Sequence, residues 1–146
     1  MHQGRTDLMP QISEIPNHVV QSLSSLQEDS SVNEIWLIGS QASGNSTTAS
    51  DWDLLVFSMR EPYPCQQRFN GVDVLWCGPS GHVLLEGVSD FYTFDFKDFQ
   101  WKSLENGKAT YRGRKFLELS EGQVRDANIP VQVLIEASAV RLWKRT

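Results

Sequence analysis

Two carboxylates one residue apart, Asp51 and Asp53, are the residues whose types and spacing first suggest chemistry. Side chains alternate across a strand, so in an extended segment both aspartates point to one face while Trp52 and Leu54 point to the other. Like charges this close raise each other's pKa unless something positive sits between them, and hard oxygen ligands of this kind suit Mg²⁺. Read alone, the pair more simply fits a solvated strand start whose aspartates cap a turn. Gly39-Ser40 changes that weighing. It ends the preceding apolar run and is joined to Asp51 by ten residues, Gln41–Ser50, giving the pattern G-S-x10-D-x-D. Glycine permits close backbone approach to a phosphate, and a serine hydroxyl with neighbouring N–H groups at a helix start can bind phosphate oxygens. An ordinary flexible loop explains GSQASG by itself, but not its coincidence with the paired aspartates. Ser50, directly before Asp51, joins Gly39 and Ser40 as a candidate phosphate-site residue.

A third acidic group is Asp73, set within Val72-Asp73-Val74-Leu75-Trp76, where β-propensity and burial both disfavour a carboxylate. If this strand lies beside that of Asp53, about 4.8 Å away, three carboxylates form one cluster able to hold two ions roughly 3.5–4 Å apart. An edge-strand residue facing solvent accounts for Asp73 equally well on local sequence. Its occurrence after the other two elements favours the cluster, and favours Asp73 over Asp90, Asp95 or Asp98 as the third carboxylate. Asp95 and Asp98 fall where they would cap and complement the start of a helix.

The elements that must position these residues follow from apolar spacing and breakers. Val19, Val20, Leu23 and Leu26 predict a helix over about 17–28, with Asn17 as its cap. Residues 34–38 predict a buried strand, 51–57 a second and 72–76 a third, with Glu61-Pro-Tyr-Pro64 breaking the second and Asn70-Gly71 introducing the third. Residues 82–88 fit neither pattern alone. Phe94, Phe96, Phe99, Trp101 and Leu104 predict one helical face between Asp95 and Gly107, and residues 109–112 a short edge strand. Pro130 fits the first position of a final helix over about 130–144. The aromatic run from Phe91 to Phe96 suits a base-stacking platform in principle, but a hydrophobic core explains it better.

Composition narrows the possible functions. The chain has 146 residues, 40% hydrophobic and 21% charged, with a mean hydropathy of −0.35, which suits one globular domain that needs neither disulfides nor a structural metal. Thirteen Lys plus Arg against eighteen Asp plus Glu give a net charge of −5, which opposes generic nucleic-acid binding. No stretch approaches the ~20 apolar residues of a membrane span. The segment MHQGRTDLMPQ has neither a basic start nor an apolar core, so a cytoplasmic location is expected. Cys65 and Cys77 read as reduced structural thiols, and His2, His18 and His82 adjoin no nucleophile that would make a hydrolytic triad. With no Lys between residues 39 and 60, a P-loop is also excluded.

The segment IWLIGSQASGNSTTASDWDLLVF resembles the signature of the DNA polymerase β-like nucleotidyltransferase superfamily, in particular its minimal nucleotidyltransferases, over about residues 33–76. The resemblance implies an α+β fold, a small mixed sheet flanked by helices. It suggests a single domain over 1–146, with the core motif region at 33–76 and a C-terminal helical part at about 90–146. It further implies an NTP substrate, ATP first, two Mg²⁺ ions with Mn²⁺ as the alternative, and transfer of a nucleoside monophosphate to a hydroxyl of a protein or small-molecule acceptor. Gly39 and Ser40 match the phosphate-binding GS, and Asp51 and Asp53 the metal-binding pair. Asp73 stands for the third carboxylate, which in the family assists metal binding and acceptor activation. The rival expectation, drawn from a resemblance to antitoxin-type minimal nucleotidyltransferases, is an NTP-binding module with weak or no catalysis that binds a protein partner such as a toxin. D-x-D glycosyltransferases are considerably longer chains, so the length of this one argues against that class.

Overall fold

A computed structural model describes residues 15–43, 52–63, 69, 71–86, 91–116 and 132–146. Helix α1, Asn17–Glu28, opens after Pro16, whose backbone is extended and whose carbonyl receives the N–H groups of Val19 and Val20. Pro16 rather than Asn17 is therefore the cap, as suits a residue with no N–H of its own and a fixed φ. Val19, Ser22 and Leu26 form the buried stripe of α1. Its far end is tied down by a distant residue: the Arg145 guanidinium donates to the carbonyls of Gln27, Asp29 and Val32 and lies over the Trp143 ring.

The strands are β1 Val32–Ile38, β2 Trp52–Ser58, β3 Val72–Cys77, β4 His82–Glu86, β5 Phe91–Asp95, β6 Lys102–Ser103, β7 Lys108–Phe116 and β8 Gln132–Lys144. A five-residue helix, α2 Gly39–Ser43, follows β1 directly. All eight strands join one sheet in the order β5-β4-β3-β2-β1-β8-β7-β6. Only β2 and β3 run parallel; every other neighbouring pair is antiparallel. The three strands expected at 34–38, 51–57 and 72–76 are present, and the ambiguous stretch after His82 is β4.

The expected α+β fold, a small sheet flanked by helices, is not what the chain adopts. The sheet has eight strands, and α1 is the only α-helix longer than five residues among the described residues. In place of the final helix expected at 130–144 there is the thirteen-residue β8. Ala137 and Ala139 are buried while Glu136 and Ser138 beside and between them are exposed, the alternation of a strand over that stretch, with Leu134 and Ile135 both exposed before it and Val140 buried after it. Alanine, leucine and glutamate favour a helix locally, but pairing with β1 on one side and β7 on the other outweighs that preference. The helix expected over 95–107 shrinks to a 3-10 turn at Phe96–Phe99, ended by Gln100 in a left-handed conformation at φ 48°. Beyond it Asn106 and Gly107, at φ 62° and 69°, close the β6–β7 hairpin. Asp95 does cap the short turn, accepting from the Lys97 N–H at 3.4 Å. Nor is β7 an edge strand, since it lies between β8 and β6.

Both faces of the sheet are apolar in its centre. One packs Ile35, Leu37, Leu54, Val56, Val74 and Trp76 against Val19 and Leu26 of α1. The other carries Trp36, Ile38, Leu55, Leu75, Tyr111, Ala137 and Ala139, with Phe57, Phe96, Phe99 and Trp101 packed on them. This second face is held by edge-to-face contacts, Trp36 to Trp101 at 4.9 Å and Phe57 to Phe96 at 5.3 Å between ring centres. Phe96, Phe99, Trp101 and Tyr111 are thus part of the core, whereas Phe94, of the 91–96 run expected there, is exposed.

Candidate functional site

The candidate site forms where β1 ends. Ile38, its last residue, pairs with Asp53 across the antiparallel β1–β2 ladder. The chain then turns at Gly39, φ 77°, into α2. The turn therefore leaves the sheet directly beside the Asp53 carboxylate. A Cβ on Gly39 would collide with Oδ2 of Asp53 and stand 3.3 Å from its Cγ. Glycine is thus required twice, for a left-handed backbone and for the close approach.

The parallel β2–β3 ladder places Asp73 as the register partner of Asp53. Partners on adjacent strands point to the same face, with backbones about 4.8 Å apart, so the two carboxylates sit side by side. Their face is the one that carries Leu55, Leu75 and the aromatic cluster, because residues two apart in a strand share a side. Asp53 is half-buried and Asp73 exposed. Asp73 lies at the start of β3, ahead of the Leu75–Cys77 stretch covered by β4, so it escapes the burial that its apolar neighbours suggest. Asp73 is thus exposed, although β3 lies between β4 and β2 and is not the edge strand that the solvent-facing reading assumed.

Asp51 and Ser50 lie outside the described residues, and Ser40 falls in α2 with its side chain outside them. Among the described residues, no group of three His, Cys, Asp or Glu side chains is arranged to hold a metal ion. The structure thus brings Gly39, Asp53 and Asp73 to one end of the sheet.

One further residue belongs to this corner, and no sequence motif points to it. Tyr111, in β7, accepts a hydrogen bond from the Gly39 N–H through its hydroxyl oxygen at 2.8 Å. Strand β8 lies between β7 and β1, so the tyrosine must reach over it. It can do so because Ala137, its register partner, and Ala139 beyond are small. Its ring stacks on Trp101 and meets Phe99 edge-on, each at 6.1 Å. Burial pushes the Tyr111 hydroxyl above its ordinary pKa and the negative charge of Asp53 pushes it further, while the bond from Gly39 pulls the other way. No local signal marks Tyr111, since its partner is 72 residues away in sequence.

The family model of the nucleotidyltransferase domain matches residues 19–135, a span that begins in α1 and contains Gly39, Asp53, Asp73 and Tyr111. No curated protein and no solved structure gives a significant match. Among the described residues, no helix is long and apolar enough to cross a membrane.

Proposed function

Because the chain belongs to the nucleotidyltransferase domain family, we propose that it moves a nucleoside monophosphate from an NTP, ATP first, to a hydroxyl of a protein or small-molecule acceptor, with Mg²⁺ as cofactor. The observation that carries this reading is the Asp53–Asp73 register beside the Gly39 turn. Mg²⁺ is commonly held by one or two carboxylates, with substrate phosphates and water completing its shell, so this donor set suits it. Asp53 and Asp73 would hold the ion, together with Asp51. When bound, Mg²⁺ supplies charge neutralisation at the α-phosphate and the leaving pyrophosphate.

The chain's own residues have separable tasks. The Gly39 turn lets phosphate oxygens approach the backbone. Because the Gly39 N–H is engaged by Tyr111, phosphate recognition falls to the Ser40 hydroxyl and to N–H groups further along the turn. Asp73, exposed on the sheet end, is accessible to an acceptor and takes the proton of its hydroxyl as the new O–P bond forms and the bond to pyrophosphate breaks.

The test is incubation with each α-labelled NTP, Mg²⁺ and host lysate, following label transfer to acceptors and release of pyrophosphate. Transfer that disappears in a folded Asp51→Asn, Asp53→Asn double variant supports the reading; undiminished transfer by that variant refutes it.

A further inference from the structure

We propose that Tyr111 is a positioning residue of the nucleotide site: its hydroxyl fixes the Gly39 turn, and through that turn the place of the Asp53 carboxylate. The inference rests on the nucleotidyltransferase reading above and goes beyond it by assigning a role to a residue of β7, remote in sequence from the G-S and D-x-D segments.

Three observations converge on Gly39. Its N–H is held by the Tyr111 hydroxyl at 2.8 Å. Its Cα faces the Asp53 carboxylate, so that even a methyl group there would collide with it. Its φ of 77° turns the chain out of β1 and into the segment that bears Ser40. Whatever fixes Gly39 therefore fixes both the phosphate side and the carboxylate side of the site. Glycine has the widest conformational freedom of any residue, so a turn that depends on one has most to gain from an outside restraint.

Tyr111 is built to be that restraint. Its ring is gripped by Trp101 and Phe99, and it is only 8% exposed. The space it crosses is kept open by Ala137, and Gly113 in its own strand has no side chain to compete, since a Cβ there would stand 3.2 Å from that of Ala137 and 3.6 Å from the Tyr111 ring. A tyrosine held this firmly presents its oxygen at a fixed point with little rotamer entropy left to lose.

The experiment compares Tyr111→Phe, which removes only the hydroxyl, with Arg145→Ala, which releases the end of α1 and the start of β1 and touches neither Tyr111 nor the Gly39 turn. Two quantities are read: exchange of the Gly39 amide by NMR without ligand, and the Kd of Mg²⁺ with each NTP by calorimetry. A lost bond to a backbone N–H predicts that Tyr111→Phe raises Gly39 exchange and nucleotide Kd by about tenfold each, with the rest of β1 as protected as before. Arg145→Ala should lower the melting temperature while leaving Kd within about twofold. A merely structural tyrosine would make the two variants alike, each losing stability with Kd unchanged, and that result overturns the proposal. So does an unchanged Gly39 amide in Tyr111→Phe, or a lost protection with unchanged Kd. If the unmutated protein binds no NTP, the nucleotidyltransferase reading falls and takes this role with it; that failure is distinct because it appears before any substitution is made.

Discussion

Gly39→Ala should be strongly damaging, and its cost can be divided into two parts. The first is backbone strain: a non-glycine residue held at φ 77° pays roughly 1–2 kcal/mol for the left-handed conformation. The second is steric, because the new Cβ falls on Oδ2 of Asp53, with Cγ only 3.3 Å away. Forcing one extra methyl into a packed position costs about 1–3 kcal/mol. The sum, roughly 2–5 kcal/mol, corresponds to a fall in melting temperature of about 4–20 °C for a chain of this size. Activity should suffer more than stability, since displacing a reacting group by about 1 Å can cost on the order of 10²-fold in rate. A double-mutant cycle separates the two parts: in an Asp53→Ala background the collision is gone, and Gly39→Ala should cost only the strain, about 1–2 kcal/mol. Chemical denaturation of the four proteins measures it. Equal costs in both backgrounds would show that Asp53 does not press on Gly39, and the close packing of turn and carboxylate on which the site depends would be refuted.

Arg145→Ala should lower stability by about 2–3 kcal/mol, because three carbonyls at the end of α1 and the start of β1 lose a charged donor together. Lysine should not restore it, having no planar fork to span them, and a melting temperature within about 2 °C of the parent would refute the clamp. Asp29 experiences burial that would raise its pKa, but bonds from the Ser31 hydroxyl and N–H and the charges of Arg60 and Arg145 outweigh it and hold the carboxyl below its ordinary 3.8. A depressed carboxylate contributes stability above its unfolded pKa and loses it as pH falls through the folded one, so Asp29→Asn should flatten the acid limb of a stability profile below about pH 4 and an unaltered limb would count against it. Cys77 is buried, and burial with the nearby Glu61 charge pushes its thiol up to about 11, so it should resist alkylation at about pH 8 until the protein unfolds. Mass spectrometry of the native protein that finds Cys77 labelled rapidly would contradict this.

Much of the central sheet is legible in the sequence because its strands are short apolar runs bounded by strong breakers. Val32–Ile38 ends at a glycine, Trp52–Ser58 precedes a proline pair, and Val72–Cys77 is introduced by Asn-Gly. The Asp53–Asp73 alignment is not legible in the same way: the expected strands start at 51 and 72, and pairing from those starts would set Asp73 against Trp52, so the register is visible only in the structure. The second half of the chain is not legible either. Phe96, Phe99 and Trp101 are spaced so that one helix face or a short turn followed by a strand would bury them equally well. What separates the two is Asn106-Gly107, which serves as a hairpin signal here but is equally compatible with a helix end.

The difficulty of reading β8 from sequence and the obscurity of Tyr111 have a single cause. A helix over 130–144 would leave β1 without its second neighbour, and β7 with nothing to carry it alongside. With Gln132–Lys144 extended, β8 bonds to β1 through Val140–Lys144 and to β7 along Gln132–Val140, which brings Tyr111 within one side chain's reach of Gly39. The same alternation that puts Ala137 and Ala139 on the inner face provides the gap the tyrosine crosses. Residues that a motif supplies can be read from the motif. A residue supplied by strand order cannot, because nothing near Tyr111 in sequence records that two alanines, Ala137 and Ala139, will lie beneath it. The choice of strand over helix in the last part of the chain is therefore also a choice about the site: it decides whether the Gly39 turn is held from outside or left to its own flexibility.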